Sequence, residues 1–273
     1  SGNMPRLVIY WYAYLLSIGG FMSFNIRFLD ARVWRYSLSA VADLVDVGSF
    51  RVSDDGFRIR AMDPSHVALI EFSIPREGFE VFDVEGEANV PISIEAVAKI
   101  LKRASKRDEL VIGYDGKSAW VSLATPHGFE RRFSVPVLHG TAVEEVPELK
   151  IDFPVSASMH PQVFHSSYKI ISEIGEVLTL QSTPEGVKIT GSSELAEAEI
   201  LLTKDTGGLI EHNHSSDNVE RASYTIDYFD KIAKASSIAE EALIDFGSDK
   251  PCKVTISMPR GARLVLDLAP RSE

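Results

Sequence analysis

Asp63-Pro64-Ser65-His66 sets a hydroxyl beside an imidazole, the ingredients of a nucleophile and its base. Neighbours on one turn point apart and rarely reach nucleophile–base geometry, so the structural reading is favoured. His212 and His214, with Glu211 and Asp217 nearby, have the residue types of a divalent-metal site. They stand in a polar stretch where two histidines are more often solvated. Asp54-Asp55, Asp108-Glu109 and Glu240-Glu241 are acidic pairs of the kind a two-metal centre collects. Each lies beside an expected turn and reads as surface acid. No G-x-x-x-x-G-K-[ST], G-x-G-x-x-G or G-x-S-x-G run occurs, and neither a cofactor nor a metal is expected.

The basic residues are better organised. On a helical wheel of about 100° per residue, Lys99, Lys102, Arg103 and Lys106 share one sector, opposite Val97, Ile100, Leu101 and Ala104. Arg32 and Arg35, then Lys169 with His165, stand opposite the apolar stripes of two further helical segments, and Lys231 and Lys234 repeat the pattern in a fourth. The chain carries a net charge of −11, so it is no general polyanion binder. Four mainly basic or polar helix faces in an acidic chain are segregated charge, suited to meeting phosphate on one face only.

Those helices belong to a duplicated unit. Residues 31–59 align without a gap on 161–189, placing Val33 on Val163, Trp34 on Phe164, Val41 on Ile171 and Gly56 on Gly186. Residues 92–112 likewise align on 224–244, with Lys99 and Lys102 on Lys231 and Lys234. A tandem domain is the simplest reading, and 273 residues leave room for two cores. Each unit is α+β. A strand (24–29; 151–156) precedes a helix (31–46; 161–175), then a hairpin turning at Asp54-Asp55-Gly56 or Pro184-Glu185-Gly186. A second helix (93–106; 225–237) leads to another hairpin. Residues 205–222 read as a long, exposed, mobile loop, and the acidic segment 139–150 with Pro147 as the linker between domains at 22–138 and 151–273. Cys252 is the sole cysteine, so no intrachain disulfide forms, which favours a reducing, intracellular setting.

Ser1-Gly2-Asn3 before Met4 reads as a cloning scar. Leu7–Leu16 is an unbroken apolar run, too short to span a membrane. Three readings compete for residues 4–21: a leader ahead of a native start at Met22, a docked or partner-binding tail, or a secretion signal.

The segments FRIRAMDPSHVALIEF (57–72), AVAKILKRA (96–104), ERRFSVPVL (130–138) and LAPRSE (268–273) resemble the archaeal and eukaryotic sliding clamps of the proliferating cell nuclear antigen family, over nearly the whole chain from Met22. The resemblance implies two tandem clamp domains, each with two helices packed on antiparallel sheets, and a trimeric ring around duplex DNA. It implies DNA-channel positions at Arg35, Lys99, Lys102, Lys169, Lys231 and Lys234; the wheel adds Arg32, Arg103 and Lys106. Ser166 and Asp227 depart from a basic family pattern. A partner-peptide pocket is implied at Met62, His66, Val67, Leu69, Pro251, Ala269 and Pro270, with Val143, Val146 and Pro147 from the linker. Edge strands at Arg131, Arg132, Phe133, Val135 and Val137 and at Ala198, Ile200 and Leu202 would join subunits, self or paralogues, head to tail. Implied partners are DNA polymerase, a clamp loader, a flap nuclease and ligase, through PIP-type motifs, in a non-enzymatic, nucleoid-associated role without membrane contact. Two rivals remain: a specialised subunit of a heteromeric ring with few clients, and a metal-dependent DNA-processing enzyme.

Overall fold

Eighteen strands and four α-helices order the chain in the computed structural model, which describes residues 22–143 and 145–272. The apolar run 7–16, and with it every reading of residues 4–21, lies outside the described residues. Among those described, no helix is long and apolar enough to cross a membrane.

In the first half, β1 (Ser23–Phe28) leads into α1 (Arg32–Leu44), then β2 (Val47–Ser53), β3 (Gly56–Met62), β4 (Ala68–Pro75), β5 (Val81–Glu85) and β6 (Ala88–Ser93). α2 (Ile94–Leu101), β7 (Glu109–Tyr114), β8 (Ala119–Ala124) and β9 (Glu130–Val135) complete it. The second half repeats the order with β10 (Val155–Met159), α3 (Pro161–Ile174), β11 (Val177–Thr183), β12 (Gly186–Ser192), β13 (Glu197–Leu202), β14 (Glu211–His214) and β15 (Glu220–Thr225). It closes with α4 (Asp230–Ala235), β16 (Glu241–Phe246), β17 (Cys252–Ser257) and β18 (Arg263–Leu268).

The apolar spacing that predicts α1 is the face it buries: Val33, Trp34, Leu38 and Val41 are inaccessible to solvent. Trp34 sits among aromatic rings, 4.5 Å from Phe57 and 5.1 Å from Phe72 between centroids. The hairpin expected at Asp54-Asp55-Gly56 forms, and Gly56 takes the φ of 140° that a side chain would resist.

All strand pairs are antiparallel. One sheet runs β5-β1-β7-β8-β9 and another β13-β12-β11-β15. The third has nine strands, β14-β10-β16-β17-β18-β4-β3-β2-β6, because β18 of the second half pairs with β4 of the first. The helices pack in a row, α2 on α1, α1 on α4 and α4 on α3, so a continuous helical layer also spans both halves.

Several expectations need correction. Residues 205–222 are no open loop: β14 pairs with β10, β15 begins at Glu220, and Leu209 is buried. The strand expected at 151–156 lies at Val155–Met159, where the hydrogen-bonded register with β16 runs. The second helices are shorter than expected. α4 is one and a half turns flanked by 3₁₀ turns at Ile226–Phe229 and Ser236–Ile238, and α2 ends at Leu101.

Candidate nucleic-acid interface and partner groove

α2 is short but firmly started, since the Ser93 hydroxyl accepts the Ala96 N–H at 3.2 Å. It carries Lys99, exposed and paired with Glu95 at 2.7 Å, and is followed at its C-cap by Lys102, exposed with no ion pair among the described residues. Arg103 and Lys106 are exposed but lie beyond the helix, so the wheel does not place them. The reason is local: Asp108 accepts the Ser105 N–H at 2.8 Å and closes a turn where helix would continue.

On the other helices the cations divide. Lys169 is exposed and Lys231 half-buried, both without an ion pair among the described residues. Lys234 is held by Asp230 at 2.6 Å and Arg32 by Asp30 at 2.8 Å. Arg35 does not extend outward as expected, because its guanidinium donates to the Ala104 carbonyl at 3.2 Å. His165, its counterpart in the repeat, reaches the Ala233 carbonyl at 2.9 Å. In both halves, then, one side chain ties the first helix to the end of the second. Asp227 is exposed beside this face, and Tyr168 donates to Asp230 at 3.2 Å. Burial, with the Asp230 charge, pushes the Tyr168 hydroxyl up to about 12.

The segment after β9 crosses the nine-stranded sheet on the side away from the helices. Glu145 pairs with Arg51, and the Val146 carbonyl accepts from Arg60 at 3.1 Å. Beneath it a cavity of about 150 Å³ brings Met62, Val143 and Val146 together with Val45, Val47 and Ala61. Leu69 lines a neighbouring cavity of about 110 Å³ with Leu149, Val265 and Asp267. The remaining expected pocket residues gather by register at one end of the sheet. Cys252 faces Leu268, which faces Ala68, so Pro251, Ala269 and Val67 are neighbours, and Ala269 N–H bonds the Val67 carbonyl at 2.9 Å. Pro270 follows, half-buried, while His66 is exposed at a positive φ of 56°. Asp63 accepts the Val67 and Ala68 N–H groups, each at 2.7 Å, which makes the Asp63–His66 segment a capped turn. Pro147 lines neither cavity.

β9 and β13 are the outer strands of their sheets. Arg132 and Phe133 are exposed on β9, whereas Arg131 is half-buried beside Asp108, 3.8 Å away. Val135 and Leu202 are buried, and Ala198 and Ile200 half-buried against the core, so these four reach an edge by backbone alone. Val137 is not on β9; it bridges Ile92 instead. The alternation of β13 leaves Glu197, Glu199 and Leu201 outward, opposite the inner face that Ala198, Ile200 and Leu202 form, and this outward row has no apolar pattern to mark it in the sequence.

His212 and His214 do not reach toward solvent together. Both turn to the buried Ser182 hydroxyl, at 3.0 and 2.9 Å. Among the described residues no group of three or more potential metal ligands forms.

A duplicated α+β module with a shared helical layer, lysines on the helices and sheets behind them is the fold of a DNA sliding clamp. The model of the proliferating cell nuclear antigen N-terminal domain matches residues 23–132, and that of its C-terminal domain residues 145–271. The chain belongs to the proliferating cell nuclear antigen family. It is 33% identical over 247 residues to the DNA polymerase sliding clamp 3 of Aeropyrum pernix, covering 90% of this chain and 97% of that one. With the DNA polymerase sliding clamp of Thermofilum pendens it shares 31% identity, over 90% of this chain and 98% of the relative. The crystal structure of a PCNA2–PCNA3 complex from Sulfolobus tokodaii superposes with a TM-score of 0.82 at 26% identity, over 91% of this chain and 100% of that one.

Proposed function

We propose that this chain is a subunit of a three-membered DNA polymerase sliding clamp that encircles duplex DNA with its helical layer facing inward. The observation that carries the reading is that layer: four helices in one row across both halves, bearing Lys99, Lys102, Lys169, Lys231 and Lys234, in a chain of net charge −11. Lysines acting as mobile point charges attract phosphate without reading bases, which suits a protein that must not rest at any sequence. The role is that of a tether and docking platform, with no catalytic step of its own. β9 of one subunit would pair with β13 of the next and close the ring. Clients such as polymerase, clamp loader, flap nuclease and ligase would seat one aliphatic and two aromatic anchors in the groove at Met62, Val143, Val146 and Leu69.

The test is topological. Loaded on nicked circular DNA by a clamp loader, the ring stays bound at high salt and is lost when the circle is linearised. Equal loss from circular and linear DNA would overturn the reading. The paralogue named in the Sulfolobus tokodaii complex favours a second reading, in which the ring mixes this chain with related ones.

A further inference from the structure

We propose that the outer face of the nine-stranded sheet carries a second docking site, a row of arginines at Arg51, Arg58 and Arg263 that takes an acidic peptide segment of a partner protein. The site goes beyond the clamp reading, which gives these residues no role.

Register builds the row. Arg51 on β2 faces Arg58 on β3, Arg58 faces Ser73 on β4, and Ser73 faces Arg263 on β18. One line of rungs thus crosses four strands and both halves of the chain. All four residues point away from the helices, because their neighbours Val52, Phe57, Phe72 and Leu264 are buried on the other face. Paired residues stand about 5 Å apart, so Arg58 and Arg263 flank the Ser73 hydroxyl two strands from each other. The row lines a cavity of about 380 Å³, larger than the two at the linker.

The charges along the row are unbalanced. Like charges directly across a strand pair destabilise it, and Arg51 opposite Arg58 is such a pair. Arg51 is answered by Glu145 of the linker, and Arg60, one row further along β3, by Glu71. Arg58 and Arg263 are exposed and have no ion pair among the described residues. Asp55 and Glu87 line the same cavity at its hairpin end, where Ser53 faces Gly56 and Ala88 faces Val52. They leave the middle of the row uncancelled, a local reversal of sign in a chain of net charge −11. The chain itself shows which chemistry fits. Its linker crosses this face and sets the Glu145 carboxylate on the first arginine of the row. A partner segment rich in acids would do the same at Arg58 and Arg263, each guanidinium donating its fork of N–H groups to a carboxylate. Along β3, Arg60 stands between Arg58 and Met62 and holds the linker through the Val146 carbonyl. The row therefore lies across the linker from the Met62 end of the groove and leaves that end free.

Fluorescence anisotropy of labelled hexaglutamate against the full chain tests this. Hexaglutamate should bind and hexaserine should not. Arg58→Glu with Arg263→Glu should weaken binding about tenfold, with the melting temperature and retention on circular DNA unchanged. Lys102→Glu with Lys169→Glu should leave hexaglutamate binding as it is. Three results would overturn the proposal: no binding of hexaglutamate, loss in the lysine pair instead of the arginine pair, or displacement by inorganic phosphate at matching charge, which would mark a site for a free oxoanion. A tether keeps every arginine in place. Ser73→Cys should form a mixed disulfide faster with hexaglutamate carrying an activated disulfide than with the hexalysine counterpart, the native Cys252 being buried. Equal rates or the reverse order refute the site. Loss from circular DNA with the probe still bound removes the clamp reading alone, and retention on circular DNA without probe binding removes the row alone.

Discussion

Lys99 and Lys234 hold their ammonium groups against acids one helical turn away, whereas Lys102 and Lys169 extend without an ion pair among the described residues. A cation already engaged at an exposed i,i+4 pair gives up a contact worth only about 0.3–0.5 kcal/mol, so both kinds can serve phosphate. Reversing Lys102 and Lys169 to Glu should therefore lower DNA-dependent polymerase stimulation and flatten its salt dependence, with assembly unchanged. Unaltered stimulation would remove these residues from the DNA-facing surface. Asp267 offers a separate measurement. Burial pushes its carboxyl up to about 6, opposed by Lys253 and reinforced by Glu71. Lys253 stands 3.8 Å away, within ion-pair reach, yet the buried Oδ1 receives no hydrogen bond. A folded value above the unfolded one, about 3.9, means the native chain holds this proton more tightly. Stability contributed by the site is thus present at low pH and lost as pH rises through about 4 to 6. After discounting for partial solvent access, Asp267→Asn should gain about 1 kcal/mol at neutral pH, roughly 2–4 °C in Tm, and nothing below about pH 4. Melting curves at the two pH values decide it, and an equal shift at both would show that proton binding is not the cause.

At the level of elements, α2 depends on its cap. With eight residues it is too short to persist on propensity, so removing the Ser93 hydroxyl should matter. Ser93→Ala should cost about 1 kcal/mol and weaken DNA-dependent stimulation by fraying the turn that presents Lys99. A denaturant midpoint within error of wild type would count against that role. This helix also shows what the sequence could reveal. The wheel period of the apolar residues persists through Ala104, so pattern alone extends the helix past its end. The Asp108–Ser105 bond that stops it is visible only as two polar residues three apart. α1 and α3 were legible because Trp34, Leu38 and Val41, then Phe164 and Ile171, keep one buried face with no competing bond. β14 was not, since Glu211–His214 has no apolar alternation; it exists because two imidazoles turn inward to Ser182. The cavity beneath the linker was legible at Met62 and Val146 through a motif and a linker, but Val45 and Val47 gave no signal apart from core packing.

For the whole molecule, the joint between the halves was the least legible feature and has the broadest consequence. The repeat reads as two domains, yet β18 adds to β4 along six rungs and α1 packs against both α2 and α4. Tyr228 lies 3.5 Å from Asp63 across the halves, and Ser37 lies 3.9 Å from the Met258 sulfur. No local pattern announces such contacts, because they join residues far apart in the chain whose apolar character already suits a core within either half. If half the nine-stranded sheet unfolded alone, the other would be left with a bare edge of unpaired backbone groups and an uncovered helix face. The two halves should therefore melt together. Calorimetry of the unassembled chain should show one transition whose calorimetric enthalpy equals its van't Hoff enthalpy. Arg263→Pro, which places a ring within the β18 strand beside β4, should lower that single transition without splitting it. Two resolved transitions in the wild type would mean that the continuous sheet does not couple the halves.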